Sequence, residues 1–256
     1  SDIEYAGQRA AYASDPQESV HYVAAHDNET LFDINQYKLP EETPMSDRVR
    51  VVNLANSIVA LAQGLPFFHA GQDMLRSKSF DSNSFDSGDW FNLLDFSYET
   101  NGWARGLPPA WDNEANWPYA GSLLADPDLL PGSLDIRLAN SHLQEMLKIR
   151  STLDLFRLPT AEAVIKSLSF HNTGPNQVPG LIAMQISGEQ ESVIVLFNVT
   201  AEAQEVVIEG AAGFELHPVQ QSSADPVVRQ SSFERSSGVF SVPARTTSVF
   251  VAWGDD

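Results

Sequence analysis

Cysteine is absent from the 256 residues, so disulfides and thiolate chemistry are excluded and the redox state of the compartment leaves no trace. Positive charge is scarce: 15 Lys and Arg stand against 34 Asp and Glu, a formal net charge of −19. Nucleic acid and anionic membrane surfaces would repel such a chain. A neutral partner such as a sugar would not, although acidity also serves solubility by itself. No apolar run approaches the length of a membrane span. The opening Ser1-Asp2-Ile3-Glu4-Tyr5 has neither the basic start nor the apolar core of a signal peptide, which in an internal piece says nothing about export. Apolar residues, at 43%, are plentiful enough for one large domain or two ordinary ones, and they argue against disorder.

Residues 1–20 are mostly polar and read as a surface loop. Val20 to Ala25 is a short apolar run that predicts a buried strand. Residues 28–45, with Pro40 and Pro44, predict an irregular excursion. Ser46 is a candidate N-cap for a helix running to Gln63 and stopped by Gly64. Leu65 to Ala70 then predicts a second buried strand, and strand, helix, strand in that order predicts a parallel βαβ unit. The stretch from Gly71 to Gly132 is rich in Asp, Asn, Ser, Gly, Pro and Trp; loops of that length inside a domain are usually functional. Leu134 to Leu153 predicts a helix. Beyond Pro159 the character changes to short strand-like runs at Leu181–Ile186, Val193–Val199, Glu205–Ile208, Val239–Val242 and Ser248–Ala252, punctuated as in an antiparallel sandwich. A boundary falls near Arg157–Thr160.

The most informative segment is Tyr22-Val23-Ala24-Ala25-His26-Asp27-Asn28-Glu29-Thr30, where an apolar run ends in an imidazole, a carboxylate and an amide. The C-terminal ends of strands are where α/β enzymes place their chemistry, although many strands also end in Asp-Asn turns. In context this segment, through Asp33, resembles the seventh-strand motif of pullulanase and limit dextrinase, the starch-debranching branch of the α-amylase superfamily. Gln63-Gly64-Leu65-Pro66-Phe67-Phe68-His69-Ala70-Gly71, Leu75-Arg76-Ser77-Lys78-Ser79 and Asp86-Ser87-Gly88-Asp89-Trp90-Phe91-Asn92 extend the match. Further on, Gly106-Leu107-Pro108-Pro109, Asn116-Trp117-Pro118, Phe170-His171-Asn172-Thr173-Gly174-Pro175 and Gly213-Phe214-Glu215-Leu216-His217-Pro218-Val219-Gln220 carry it almost end to end. Plant-type limit dextrinases are the nearest pattern.

The resemblance implies an α/β plus all-β fold. Residues 1–157 would hold the last two strands and helices of a (β/α)8 TIM barrel, with a long substrate loop at 71–132, and residues 158–256 a C-terminal antiparallel β-sandwich. It implies hydrolysis of α-1,6 branch linkages in pullulan, amylopectin and limit dextrins with retention, by two carboxyl groups roughly 5–5.5 Å apart. The nucleophile and acid/base would lie on earlier strands, in a remaining N-terminal part of the enzyme, so this piece alone would be inactive. Asp27 would be the third carboxylate, which binds the hydroxyls of the cleaved sugar and stabilises the transition state, with His26 donating to the same hydroxyls. Without the resemblance, Asp27 reads as a turn-former and His26 as a packing residue. Asn28 could bind sugar or hold the turn.

Arg76, Lys78 and Asp89 lie in the loop that would shape the subsites, where Arg76 and Asp89 could equally form a structural ion pair. This chain departs from the family's usual Asp-Arg-Asp-Ser-Tyr there: Asp81-Ser82-Asn83-Ser84-Phe85 lacks an Arg, an Asp and a phenolic hydroxyl, which predicts weaker or rearranged glucose binding around Asn83. Trp103 and Trp117, flanked by Gly and Asn, are candidates to stack on sugars, whereas Trp90 and Phe91 are expected in a miniature core of the loop. No cofactor is required. Asp112, Glu114, Asp126 and Asp128 leave calcium conceivable but unsupported by any EF-hand spacing, and His69 and His142 lack metal-ligand spacing. The sequons at Asn28 and Asn198 fall in the expected site and in a buried-looking strand, so neither is expected to be used. A non-catalytic glucan-binding or structural module is the alternative from another class, and an α-1,4-cleaving neopullulanase the alternative within enzymes.

Overall fold

The computed structural model describes residues 4–10 and 13–254. The expected polar loop at 1–20 lies partly outside those residues; within them, Glu4–Tyr5 and Gln8–Arg9 form a small antiparallel hairpin and Pro16–Glu18 a single 3-10 turn. Strands β1 (Val20–His21) and β2 (Leu65–Pro66) pair in parallel, Val20 opposite Leu65. The parallel pairing matches the βαβ expectation, but each strand is two residues long rather than six. Val20, Tyr22, Val23, Leu65 and Phe67 are exposed, so the apolar runs have little to bury against within the described residues. No barrel closes among them.

Helix α1 (Leu31–Lys38) occupies part of the stretch expected to be irregular. Its start is set by Thr30, whose hydroxyl accepts the Asp33 N–H at 3.1 Å, an N-cap with an acidic residue at the third helical position. Helix α2 (Met45–Leu61) begins after Pro44 rather than at Ser46. The Pro44 carbonyl takes the N–H groups of Asp47 and Arg48, which leaves Ser46 inside the first turn. Fully buried Arg48 fastens the α1–α2 connection by donating to the carbonyls of Pro40, Glu41 and Thr43 and to the Gln36 side chain. Helix α3 (Ser133–Thr152) packs along α2. Its Arg150 donates to the carbonyls of Ala60, Ala62 and Gly64, groups that the end of α2 leaves without helical partners. Gly64 itself sits at φ +90°, and a Cβ there would lie 2.6 Å from the Pro16 carbonyl oxygen; only glycine makes this turn into β2.

The remaining strands are β3 (Leu168–Phe170), β4 (Leu181–Ser187), β5 (Glu191–Asn198), β6 (Gln204–Val207), β7 (Glu215–Leu216), β8 (Ser232–Glu234), β9 (Val239–Val242) and β10 (Thr246–Trp253). They form a five-stranded sheet ordered β3-β4-β5-β10-β7 and a three-stranded sheet ordered β8-β9-β6, antiparallel throughout. Period-two alternation divides the large sheet's side chains between two cores. Val193, Val195, Phe197, Val249 and Val251 pack on Ala60, Leu61, Met146 and Ile149 of α2 and α3. Ile194, Leu196 and Phe250 pack on Phe240 and Val242 of the small sheet. A third core joins α1, the first half of α2, the start of α3 and the long segment after β2 through Phe32, Val49, Phe80, Trp103 and Ile136.

Candidate active site

Leaving β1, the chain turns outward so that His26 and Asp27 stand free of the core. Their side chains are 86% and 77% exposed, with His26 Nε2 3.5 Å from Asp27 Oδ1. Asn28 follows in the left-handed region at φ +61°, a conformation that asparagine tolerates. The turn is fixed from below. Lys78, only 1% exposed, sends its Nζ to the carbonyls of His26 (3.3 Å) and Asn28 (2.8 Å), bracketing Asp27 on both sides.

Lys78 is placed in turn by Asp33 on α1, whose Oδ2 accepts the backbone N–H groups of Lys78 (2.8 Å) and Phe80 (3.3 Å). Those bonds hold a segment in which Leu75, Ser79 and Phe80 all have positive φ, a backbone that relaxed non-glycine residues avoid. Complete burial raises the Asp33 pKa to about 6 against the lowering effect of hydrogen bonds from Ser77, Lys78 and Phe80. Burial also lowers the Lys78 pKa, partly offset by the Asp33 and Asp81 carboxylates.

His26, Asp27, Arg76 and Asn83 open onto one cavity of about 260 Å3. Arg76 forms its back wall, donating to His69 Nε2 (3.1 Å) and to the carbonyls of Ala70 and Asn92. Burial and the Arg76 guanidinium push the His69 pKa down to about 4, so at neutral pH His69 is an acceptor for Arg76. The cavity thus combines an open carboxylate and imidazole with fixed donors and the apolar ring of Phe85, a mixed lining suited to hydroxyl-bearing ligands with apolar faces. Lys78, His69, Ser84, Phe85 and Asn92 complete the lining. The positioning role of Asp33 was missed in the sequence. The cue was the Thr30-Leu31-Phe32-Asp33 cap pattern, read instead as part of an irregular stretch.

Other expected residues lie elsewhere. Asp89 is exposed on the short helix Gly88–Asn92 and is neither paired with Arg76 nor part of the cavity. Asn28 contributes its carbonyl to the Lys78 clamp rather than lining the cavity. The expectation for Trp103 is overturned: it is 5% exposed and wedged edge-on between Phe32 (5.5 Å) and Phe80 (4.9 Å), so no sugar reaches its face. Trp90 reverses in the other direction. Expected in a loop core, it is 63% exposed, held by its indole N–H to the Arg105 carbonyl and by the Arg105 guanidinium over its ring. Trp117 is half-buried, donates to the Pro108 carbonyl and lies outside the cavity. Among the described residues no group of three or more His, Asp or Glu side chains is arranged to hold a metal, and no helix is long and apolar enough to cross a membrane.

Comparison with known proteins gives this arrangement its context. Residues 98–253 match the model of the C-terminal region of pullulanase-type α-1,6-glucosidases. Pullulanase 1, chloroplastic, of Arabidopsis thaliana is 47% identical over 258 residues, covering 94% of this chain and 26% of that protein. The pullulanase of Klebsiella pneumoniae is 31% identical over 97% of the chain and 24% of its own length, so the chain spans about a quarter of these relatives. Crystal structures of Klebsiella pneumoniae pullulanase superpose on the whole chain: the apo form with a TM-score of 0.93 at 30% identity over 28% of that chain, and a complex with maltotriose with 0.92 at 31% over 25%. Fold and sequence agree, and the chain belongs to the pullulanase-type α-1,6-glucosidases, in their C-terminal region.

Proposed function

We propose that this chain is the substrate-side portion of a debranching glycoside hydrolase that cleaves α-1,6-glucosidic branch linkages in pullulan, amylopectin and limit dextrins with retention. The observation that carries the reading is the Lys78 clamp, which holds the backbone on both sides of Asp27 while leaving its carboxylate free at the rim of the cavity. In the complete enzyme, β1 and β2 are the last two strands of a (β/α)8 barrel whose preceding strands supply the nucleophile and the acid/base. Residues 1–157 belong to that barrel, and residues 158–256 form the sandwich that caps it.

Asp27 accepts hydrogen bonds from the hydroxyls of the sugar being cleaved. As the ring flattens and positive charge develops at its anomeric carbon, those bonds strengthen, so the carboxylate favours the transition state over the ground state. His26, adjacent and equally open, donates to the same sugar. Asn83 and Arg76 line the subsite beyond, and Trp117 and Asp89 belong to the more distant rim of the substrate loop. The chemistry calls for no cofactor.

The test is maltotriose release from pullulan by the complete enzyme carrying Asp27→Asn. The expected result is a fall in kcat of about 10²–10³-fold with a much smaller change in KM, the signature of an interaction made mainly in the transition state. Unchanged kcat would remove Asp27 from catalysis. Glucan binding without hydrolysis by the complete protein would make this a non-catalytic module.

A further inference from the structure

We propose that Phe85 and Trp111 together form a sugar-stacking wall at the mouth of the Asp27 cavity, a binding surface for the pyranose rings of the glucan chain. This rests on the reading of the cavity as a glucan site. Phe85 is 82% exposed and Trp111 56%, yet they touch, edge to face, with ring centroids 5.7 Å apart. Phe85 lines the same cavity as His26 and Asp27, so the pair continues that cavity rather than forming a separate patch.

The rings sit on backbone that is held firmly although they are not covered. Asn113, 1% exposed and two residues beyond Trp111, donates to Asp81 Oδ1 and to the Pro109 carbonyl, while its Oδ1 accepts the backbone N–H and the hydroxyl of Ser82. On the other side of Phe85, Asn92 donates to the Ser84 carbonyl and Ser84 Oγ donates to Asn92 Oδ1. The segments around Phe85 and Trp111 are therefore stapled together through the buried Asn113 amide, with the partly buried Asn92 bracing Ser84, and two large apolar faces are presented to water in a fixed relation. Exposed aromatic rings on prearranged backbone suit a ligand whose C–H faces are apolar and whose rim is polar and uncharged, which describes a pyranose. The positions also account for Ser82 and Phe85, where arginine and tyrosine are usual in the related pattern. Ser82 serves the Asn113 staple, and an unhydroxylated ring at 85 meets an indole.

The experiment measures maltotriose binding by calorimetry, and KM and kcat on pullulan, for the complete enzyme and its Phe85→Ala, Trp111→Ala and Trp111→Phe variants. Loss of one stacking face is expected to weaken maltotriose binding about three- to tenfold and to raise KM by a similar factor, with Trp111→Phe recovering most of the loss. Both side chains are exposed, so thermal unfolding is expected to shift little. Unchanged maltotriose affinity in both alanine variants overturns the proposal, as does weakening accompanied by a large fall in unfolding temperature with no recovery in Trp111→Phe. The two readings fail separately. Weakened maltotriose binding in a protein that does not cleave pullulan keeps the wall and removes the hydrolase, whereas cleavage with unchanged affinity does the reverse.

Discussion

Asp33 shows how much of a site can rest on a residue that never meets the ligand. It is fully buried, and its carboxylate orders the strained segment that delivers Lys78 to the carbonyls around Asp27. Its pKa is raised to about 6 in the folded state from an ordinary 3.8. Between those values the folded protein holds a proton that the unfolded chain has lost, so this group's contribution is fully present below about pH 4 and fades as pH rises through 6. The integrated difference is as much as about 3 kcal/mol. His142, partly buried against Ser57, has its pKa lowered to about 4 by burial and runs the opposite way, opposing stability as pH falls from 6.5. Replacing Asp33 with Asn removes one of the two. The stability of Asp33→Asn relative to the parent enzyme is therefore expected to be better near pH 7 than near pH 4, read from unfolding midpoints across that range. A constant difference would show that Asp33 does not titrate there. None of this was legible locally, because Asp33 and Lys78 lie 45 positions apart. His26 and Asp27 could be singled out together because they are contiguous, and the structure puts both on one cavity. Trp90 and Trp103 were interchanged because flanking Gly and Asn report turns, and turns occur both above and beneath a loop.

At the scale of elements, sequence periodicity located α2, α3 and the strands β4, β5, β6, β9 and β10 to within a few residues, and missed the short strands β3, β7 and β8. The large sheet is buried on both faces, and β5 and β10 accordingly read as continuous apolar runs. Helix α1 was hidden because it is short and followed by Pro40, and its polar residues Asp33, Asn35 and Gln36 are buried rather than facing water. A pattern built on apolar spacing does not register a helix that buries amides. Arg150 is the element-level device most open to test. It ends α2 by donating to three carbonyls across 86 to 90 positions of chain. Arg150→Met keeps the aliphatic packing but strands those acceptors, and a loss of about 3 kcal/mol is expected in denaturant unfolding. A loss below about 0.5 kcal/mol would mean that water replaces the guanidinium freely.

For the molecule as a whole, the change of character near Arg157–Thr160 does not mark the edge of a core. Ala60, Leu61, Met146 and Ile149 from before it share one cluster with Val193, Val195, Val249 and Val251 from after it. Arg50 pairs with Asp225 at 2.6 Å and also reaches Thr246, and Arg245 pairs with Asp47, so α2 is tied to the antiparallel sheets and their connections by charge as well as packing. Composition registers which secondary structure predominates, not which faces meet, and this is why the change of character was readable and the shared core was not. A segment ending at residue 157 is expected to expose that apolar face, bind a hydrophobic dye and unfold without a cooperative transition, whereas residues 4–254 in the complete enzyme do not behave so. Cooperative unfolding of the shortened segment would show that the helices are stable without the sheet.

The position of β10 has a consequence for synthesis. It lies between β5 and β7 in the large sheet, yet it follows every other strand of that sheet in chain order. While the ribosome adds residues at roughly 5–20 per second, β5 waits through about fifty residues with one edge unpaired. In that interval its run of Val193, Ile194, Val195, Leu196 and Phe197 is open to pairing with another nascent chain. Slower translation between β5 and β10 should therefore lower the yield of soluble protein, even though the finished molecule keeps this strand in its centre.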